Sequence, residues 1–432
     1  MNIIEFKFAN FKSYKNEVLV DFTALESDYL ATNTFQYSTD NTVGSLLKTI
    51  AILGPNASGK SNVIWALRAF RYFVDESRKF AVNYKMLYEP FALSVNHIDA
   101  PTEFCMKFVV ENTIYSYQYS YDSTHFLSER LIKYNSVGEE FIIFNRSDIG
   151  DVCSNDESFR KFLEKHKHTT VLTNHLVLSE SAIWEPNILQ KIYAELTSMH
   201  TEVNYGVINL KGNASIIAET ILNDNSSAIT KQLEKLLTIS DIGINSINII
   251  RHGDQDFVLP NTLSDDIKKE IIERNRWEFR FGHKNRENKI IEFHMDSESV
   301  GTQHLFTLGS ILLNTLKEGG VLAIDEMNLA IHPQLFKMLI QLFHEPKSNP
   351  KNAQLIFTTH DTTIVSDNMM RADQIWFTEK NEYGESDLYS AQDFEDMQIC
   401  VPFEKWYRAG RFGAVPNISN LLNLFDKAHE KE

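Results

Sequence analysis

Gly54-Pro55-Asn56-Ala57-Ser58-Gly59-Lys60-Ser61 is the stretch from which the rest of the sequence is read. It fits G-x-x-x-x-G-K-[ST] at every fixed position. An apolar run, Leu47 to Leu53, ends abruptly at Gly54, and helical periodicity follows from Lys60 through about Val74. Strand, glycine-rich loop and helix form the context this motif requires. Glycines let the backbone curl until several N–H groups point inward at phosphates, and the helix N-terminus adds favourable partial charge. Gly54 to Gly59 would therefore cradle phosphates. Lys60 would reach the β- and γ-phosphates, and the Ser61 hydroxyl would ligate Mg²⁺.

Two later stretches fit the same chemistry. Val321-Leu322-Ala323-Ile324 reads as a buried parallel strand and ends in Asp325-Glu326. Beside a phosphate loop, Asp325 would hold Mg²⁺ directly or through water, and Glu326 would polarise an attacking water. Leu355-Ile356-Phe357 is a further apolar strand and ends in Thr358-Thr359-His360-Asp361. Taken singly, such a histidine is more often structural. In series with the first two motifs, His360 reads as a sensor or stabiliser of the γ-phosphate.

The chain has 432 residues, 43% hydrophobic, 23% charged and 12% aromatic. That length suits two or three domains, or one domain with a large insertion. Gly (17) and Pro (10) are too few for a disordered or fibrous chain. A formal net charge of −16 excludes a globally basic nucleic-acid coat but leaves room for a local basic patch. Cys105, Cys153 and Cys400 lie far apart with no CxxC pair, which argues against a disulfide framework and for a reducing compartment. The first residues lack the layout of a signal peptide. No apolar run reaches about 18 residues, so no membrane span is expected. The expectation is a soluble cytoplasmic protein, with no zinc, since the histidines and cysteines show no metal-ligand spacing.

The fold class read from these patterns is α/β. Residues 2–8 read as a strand, and Thr102 to Tyr121 as a strand-rich zone. There Tyr115, Tyr117, Tyr119 and Tyr121 share one strand face at period two. They read as an aromatic core or cross-strand ladder, with a base-stacking platform as the alternative. From about 150 to 240 the pattern is mixed and mostly helical, with helical spacing over Phe159–Lys165 and Ile229–Leu237 and a polar loop at Asn223–Ser227. From Ile290 onward strands alternate with helices. The tail from about Asp426 is charged and is expected to fray. No internal repeat and no sustained heptad appears.

Taken together, the strand, GPNASGKSN, a long insertion, VLAIDE and IFTTHD resemble the ABC-type ATPases of the SMC, RecF and OLD group. Phe8-Ala9-Asn10-Phe11-Lys12-Ser13-Tyr14 looks like that group's first strand and turn, and Asn62 after the GKS is typical of it. So is a Glu directly after the Walker B Asp. The resemblance implies that Lys12, Ser13 and Asn62 join the nucleotide site. It also implies a signature loop upstream of Asp325, for which Asp296-Ser297-Glu298-Ser299-Val300-Gly301-Thr302-Gln303 is the candidate, followed by a helical pattern from His304. It departs from LSGGQ. Ser299 and Gly301 would hold the positions that approach a nucleotide bound by another subunit, while a simple helix cap is the alternative reading. Asn328 to Pro333 would supply a subunit-contact loop. The usual glutamine loop is not identifiable.

More narrowly, the chain resembles the RloA/AbiLi-like, AAA-family ATP-binding proteins of bacteria. The marks are the ES-x-GTQ signature, DE-x-x-x-x-x-HP after Walker B, and Gly410-Arg411-Phe412-Gly413-Ala414-Val415-Pro416. Members of this broader group often act in anti-phage defence beside an effector such as a nuclease. The implied organisation is an ABC-type head, with residues 1–125 carrying Walker A and residues 286–432 carrying the signature, Walker B and His360. A largely helical insertion, 126–285, lies between them without a long coiled coil. The implied assembly is a homodimer with ATP and Mg²⁺ between its subunits.

Only about 70 residues follow His360, few for a nuclease domain of ordinary size, so none is expected in this chain. Glu379, Glu382, Glu385 and Asp387 read as a solvated loop more readily than as a metal site. Lys268, Lys269, Arg274, Arg276, Arg280, Lys284, Arg286 and Lys289 interleave with Glu270, Glu273, Glu278 and Glu287 and with Trp277, Phe279 and Phe281. A nucleic-acid surface is one reading; an amphipathic strand with solvated charges is the other, and the more ordinary. Three functions stand side by side: a defence ATPase controlling a separate effector, a RecF-like repair ATPase on DNA, and a nucleotide-gated scaffold that does not hydrolyse.

Overall fold

The computed structural model describes residues 1–39, 43–135, 137–147, 152–165, 171–183, 188–202, 210–224, 227–240, 243–366, 369–394 and 403–415. Cys400, Pro416 and the tail from Asp426 lie outside the described residues, as do Asn225 and Ser226 of the expected loop.

A six-stranded sheet runs in the order His200–Glu202, Val321–Ile324, Gln354–Thr358, Thr49–Leu53, Ile375–Lys380, Ser386–Ser390. The first five strands are parallel and the last is antiparallel. Val321–Ile324, Gln354–Thr358 and Thr49–Leu53 are buried at every residue, as strands covered on both faces are. Their side chains alternate between two apolar cores. Ile50, Ile52, Val321, Ala323, Ile356 and Trp376 enter one. Ala51, Leu53, Leu322, Ile324, Leu355, Phe357, Ile375 and Phe377 enter the other.

The helix Lys60–Glu76 fills the first core with Val63, Ile64, Leu67, Phe70, Phe73 and Val74, the spacing of one helical face. Its far side meets a seven-stranded antiparallel sheet, ordered Val152–Cys153, Glu140–Arg146, Phe126–Tyr134, Thr113–Tyr121, Thr102–Val110, Asn2–Ala9, Val18–Asp21. The Phe70 ring packs within 5.5–6.2 Å of Phe6, Phe104, Tyr117 and Tyr119. The Tyr119 hydroxyl donates to the Phe70 carbonyl at 3.0 Å. Tyr115, Tyr117, Tyr119 and Tyr121 are all buried, so their rings are core and present no face for stacking bases. Gln354 stitches the two sheets together: its Oε1 accepts from Ile3 N at 2.6 Å and its Nε2 donates to Ile3 O at 3.0 Å.

Val300–Glu318 and Pro333–His344 cover the second core, with Leu210–Leu222 and Ala228–Ile239 beyond them. Between 126 and 285, helices are flanked by strands. Phe126–Tyr134 and Glu140–Arg146 extend the antiparallel sheet. Ile244–Arg251 and Trp277–Lys284 join Ile290–His294 in a three-stranded sheet. The line drawn at 125 thus falls between two paired strands, and the line at 285 falls within a hairpin. Among the described residues the longest helix, Val300–Glu318, has 19 residues, and no long coiled coil is present. No described helix is long and apolar enough to cross a membrane.

The basic stretch divides among the helix Asp265–Asn275 with its C-cap Arg276, the strand Trp277–Lys284, and the turn after it, which carries Arg286 and Lys289. Arg274 pairs with Glu270, Arg276 with Glu273 and Asp254, and Arg280 with Glu278. Phe279 and Phe281 turn inward, each about 5 Å from the Phe306 ring of Val300–Glu318 (5.2 and 5.1 Å). They are core residues, not a surface aromatic array.

Candidate nucleotide site

The carboxyl ends of the parallel strands meet at one edge, the edge where ligands bind in open α/β sheets. Gly54 to Gly59 leaves the central strand Thr49–Leu53 there and turns into Lys60–Glu76. Gly59 has φ 118°, and a Cβ on it would lie 2.7 Å from Ser386 Oγ and 3.0 Å from the Tyr14 hydroxyl. Only glycine meets both demands.

Hydroxyls brace this turn from three sides. Ser58 Oγ and Thr378 Oγ1 share a hydrogen bond of 2.5 Å. Ser386 Oγ lies 2.7 Å from both the Ser58 carbonyl and Ser13 Oγ. Asn62 Nδ2 donates to Ser13 Oγ at 2.7 Å. The Tyr14 hydroxyl donates to the Gly59 carbonyl at 3.3 Å. The expected Lys12–Ser13 turn is thereby joined to the phosphate loop. Thr378 and Ser386 escaped the sequence reading, because a hydroxyl within a strand carries no periodic mark; Tyr14 belongs to the first strand and turn in that reading, without this contact.

Lys60, Ser61, Asn62, Glu326, His360 and Lys380 line one open cleft with Asn56, Ala57 and Gly59. Lys60 Nζ is buried and donates to the Gly54 and Pro55 carbonyls, both at 3.0 Å. Burial pushes the pKa of this ammonium down, against the opposing charges of Glu326 and Asp325. Asp325 is buried, and Thr358 Oγ1 donates to its Oδ1 at 2.6 Å. Desolvation raises its carboxyl above the usual range, although hydrogen bonds from Thr358 and Ser61 work the other way. A buried carboxylate facing the Ser61 hydroxyl, beside a phosphate cradle, is a donor set that suits a hard divalent cation.

Glu326 stands in the left-handed region, φ 49°, with its N–H held by Thr358 Oγ1 at 2.7 Å. One threonine hydroxyl therefore fixes both acids. Glu326 Oε1 lies 2.9 Å from His360 Nε2. Burial alone would raise the Glu326 carboxyl. The hydrogen bond from His360, with the charges of His360 and Lys60, outweighs burial and holds it below its ordinary value. Lys380, at the end of the neighbouring strand, also went unread in the sequence; a lone exposed lysine gives no signal.

Ser299 and Gly301 do not line this cleft. Ser299 Oγ caps the helix that begins at Val300, four residues before the expected start, and accepts from Thr302 N at 3.1 Å. Gly301 abuts the loop after Glu326: a Cβ there would lie 2.9 Å from the Ala330 carbonyl. The signature candidate and the Asn328–Pro333 stretch thus form one continuous surface.

A loop that leads into a helix from a central parallel strand, with an acidic pair at the end of the next strand but one, marks a P-loop nucleotide-binding protein. Residues 50–366 match the family described as AAA domain, putative AbiEii toxin, Type IV TA system, and the chain belongs to that family. Similar solved structures include an SMC head bound to the C-winged helix domain of ScpA, 15% identical over 92% of this chain and 100% of that one, TM-score 0.41. Others are the SMC head domain from Thermotoga maritima (14%, 90% and 99%, 0.35) and the Smc head with an extended coiled coil bound to the C-terminal domain of ScpA derived from Pyrococcus furiosus (14%, 95% and 99%, 0.38). A comparison with curated protein sequences gives no match.

Proposed function

We propose that this chain is an ABC-type ATPase that binds and hydrolyses ATP with Mg²⁺ and turns the nucleotide state into a change of assembly. The observation that carries this reading is the Glu326–His360 contact at 2.9 Å, in the same cleft as Lys60 and Ser61. Lys60, Asn62, Ser13, Lys12 and the backbone of Gly54–Gly59 would bind the phosphates. Ser61 and Asp325 would hold Mg²⁺, which when bound neutralises phosphate charge. Glu326, ionised through its contact with His360, accepts a hydrogen bond from the attacking water and aligns it. His360 orients Glu326 and stands beside the departing phosphate.

In this reading two copies close around the nucleotides, each offering Ser299 and Gly301 to the site of the other. Ser299 is exposed and outside its own chain's cleft, as a residue acting on a second copy would be. ATP favours the closed pair and hydrolysis releases it.

The biological role we propose is the sensor or scaffold subunit of a bacterial anti-phage defence system, of the RloA/AbiLi-like kind, controlling a separate toxic effector such as a nuclease. The description of the matching family, with its toxin and toxin–antitoxin terms, favours this role. A RecF-like or SMC-like repair ATPase acting on DNA is the second reading, and its footprint would be the Lys268–Lys289 stretch. Steady-state ATP turnover with and without single- and double-stranded DNA separates the two, with Glu326→Gln as the blank. Turnover indifferent to DNA supports the protein-controlled switch. Strong stimulation supports the repair reading.

A further inference from the structure

Lys12, which the nucleotide reading places on the phosphates, has a second set of partners on its other side. Lys12 has φ 52° and its N–H donates to the Glu89 carbonyl at 2.7 Å. Its ammonium lies 2.8 Å from Glu89 Oε2 and 5.0 Å from the Trp65 ring centroid. Arg68 rests against the same ring at 5.1 Å. Trp65 is one helical turn after Ser61, and residues four apart share a helix face. Lys12 adjoins Ser13, whose hydroxyl is bonded to Asn62. The Lys12 ammonium is therefore parked between a carboxylate and an indole, outside the cleft lining and one residue from the Ser13 that Asn62 holds.

We propose that Glu89 and Trp65 are positioning residues for Lys12, and that nucleotide binding draws the ammonium from the Glu89 carboxylate to the polyphosphate. This rests on the nucleotide-site reading above and deepens it. A cation beside an indole keeps part of its stabilisation without a fixed direction, so Trp65 serves as a pivot while the anionic partner changes. Glu89 competes with the phosphate for the same charge. The pair is half-exposed, and exposed ion pairs are weak enough to exchange.

The test is a double-mutant cycle read as affinity for Mg²⁺ with a non-hydrolysable ATP analogue. Glu89→Gln is expected to tighten binding by about threefold, the scale of one exposed ion pair. The same change in a Lys12→Met background is expected to do nothing. Trp65→Phe should bind as the unaltered chain does, and Trp65→Ala should bind more weakly, with unchanged melting temperatures serving as the folding check. Equal effects of Glu89→Gln with and without Lys12, or no effect in either, overturn the proposal. Lys60→Ala in the same assay separates the layers: loss of binding there with a flat Glu89 cycle removes only this inference, whereas full binding by Lys60→Ala removes the nucleotide site itself.

Discussion

His360 Nε2 reaches Glu326 Oε1 at 2.9 Å across the ends of two adjacent parallel strands. The register puts Ile324 opposite Phe357, so both chains leave the sheet at the same level. The imidazole is partly exposed and the carboxylate is the more buried partner. His360 is thus free to answer to a ligand while Glu326 answers to His360.

Glu326→Gln keeps the shape of the site and removes the carboxylate. It is expected to bind ATP with affinity close to that of the unaltered chain, while turnover drops about 10²–10⁴-fold, the range for losing a general base. Quenched-flow and filter-binding measurements read the two quantities separately. Turnover at the unaltered rate would show that another group aligns the water.

His360→Ala removes the contact that keeps the Glu326 carboxyl low. Burial then acts with less opposition and the carboxyl rises. Since Glu326 works ionised, the acid limb of the kcat–pH profile should move to higher pH. His360→Gln, which retains a donor, should move it less. A profile that loses height without shifting would place His360 on the phosphate alone.

Gly301→Ala tests the seam between the signature candidate and the loop after Glu326. The added methyl would sit 2.9 Å from the Ala330 carbonyl, so one side must yield. A loss of about 1–3 kcal/mol is expected from overpacking, read by urea unfolding. Because the seam faces the proposed partner, nucleotide-dependent dimerisation measured by light scattering should weaken further than the stability loss alone explains.

His304 is buried in Val300–Glu318, and neither ring nitrogen has a partner among the described residues. Burial lowers its pKa to about 4. The folded state keeps it neutral while the unfolded chain protonates below about 6.5. The unfolded state therefore binds more protons between these values, and stability falls as pH drops through that window. The loss approaches about 3 kcal/mol at its acid end. His304→Leu should flatten the dependence of melting temperature on pH between 6.5 and 4. An unchanged slope would mean that other groups govern the acid response.

The three strands that end in chemistry were legible because each carries an apolar run, stopped by Gly54, by Asp325 or by the two threonines before His360. Thr49–Leu53, Val321–Ile324 and Gln354–Thr358 stand side by side as that pattern requires. Thr358 was visible in the sequence, but its two bonds to the acids were not, since they depend on strand register. The buried Glu129 was wholly hidden. It accepts from the Tyr117 hydroxyl and from the N–H groups of Val177 and Leu178, with Arg146 at 3.8 Å. In sequence it is one acid among 58 acidic residues, and its partners come from three separate segments. The helix start at Val300 was missed for a local reason: Val300, Gly301 and Thr302 lack apolar periodicity, and the cap at Ser299 sets the boundary instead.

The central strand Thr49–Leu53 has Gln354–Thr358 on one side and Ile375–Lys380 on the other. On the ribosome, Lys60 emerges long before either neighbour exists. A nascent chain with the whole glycine-rich loop therefore lacks the sheet that aims it, and the hydroxyls of Thr378 and Ser386 that close it. Contacts of such long separation form late. Nucleotide affinity should thus appear as a single event once Ser386 has emerged, and a chain that stops short of it should not compete for ATP.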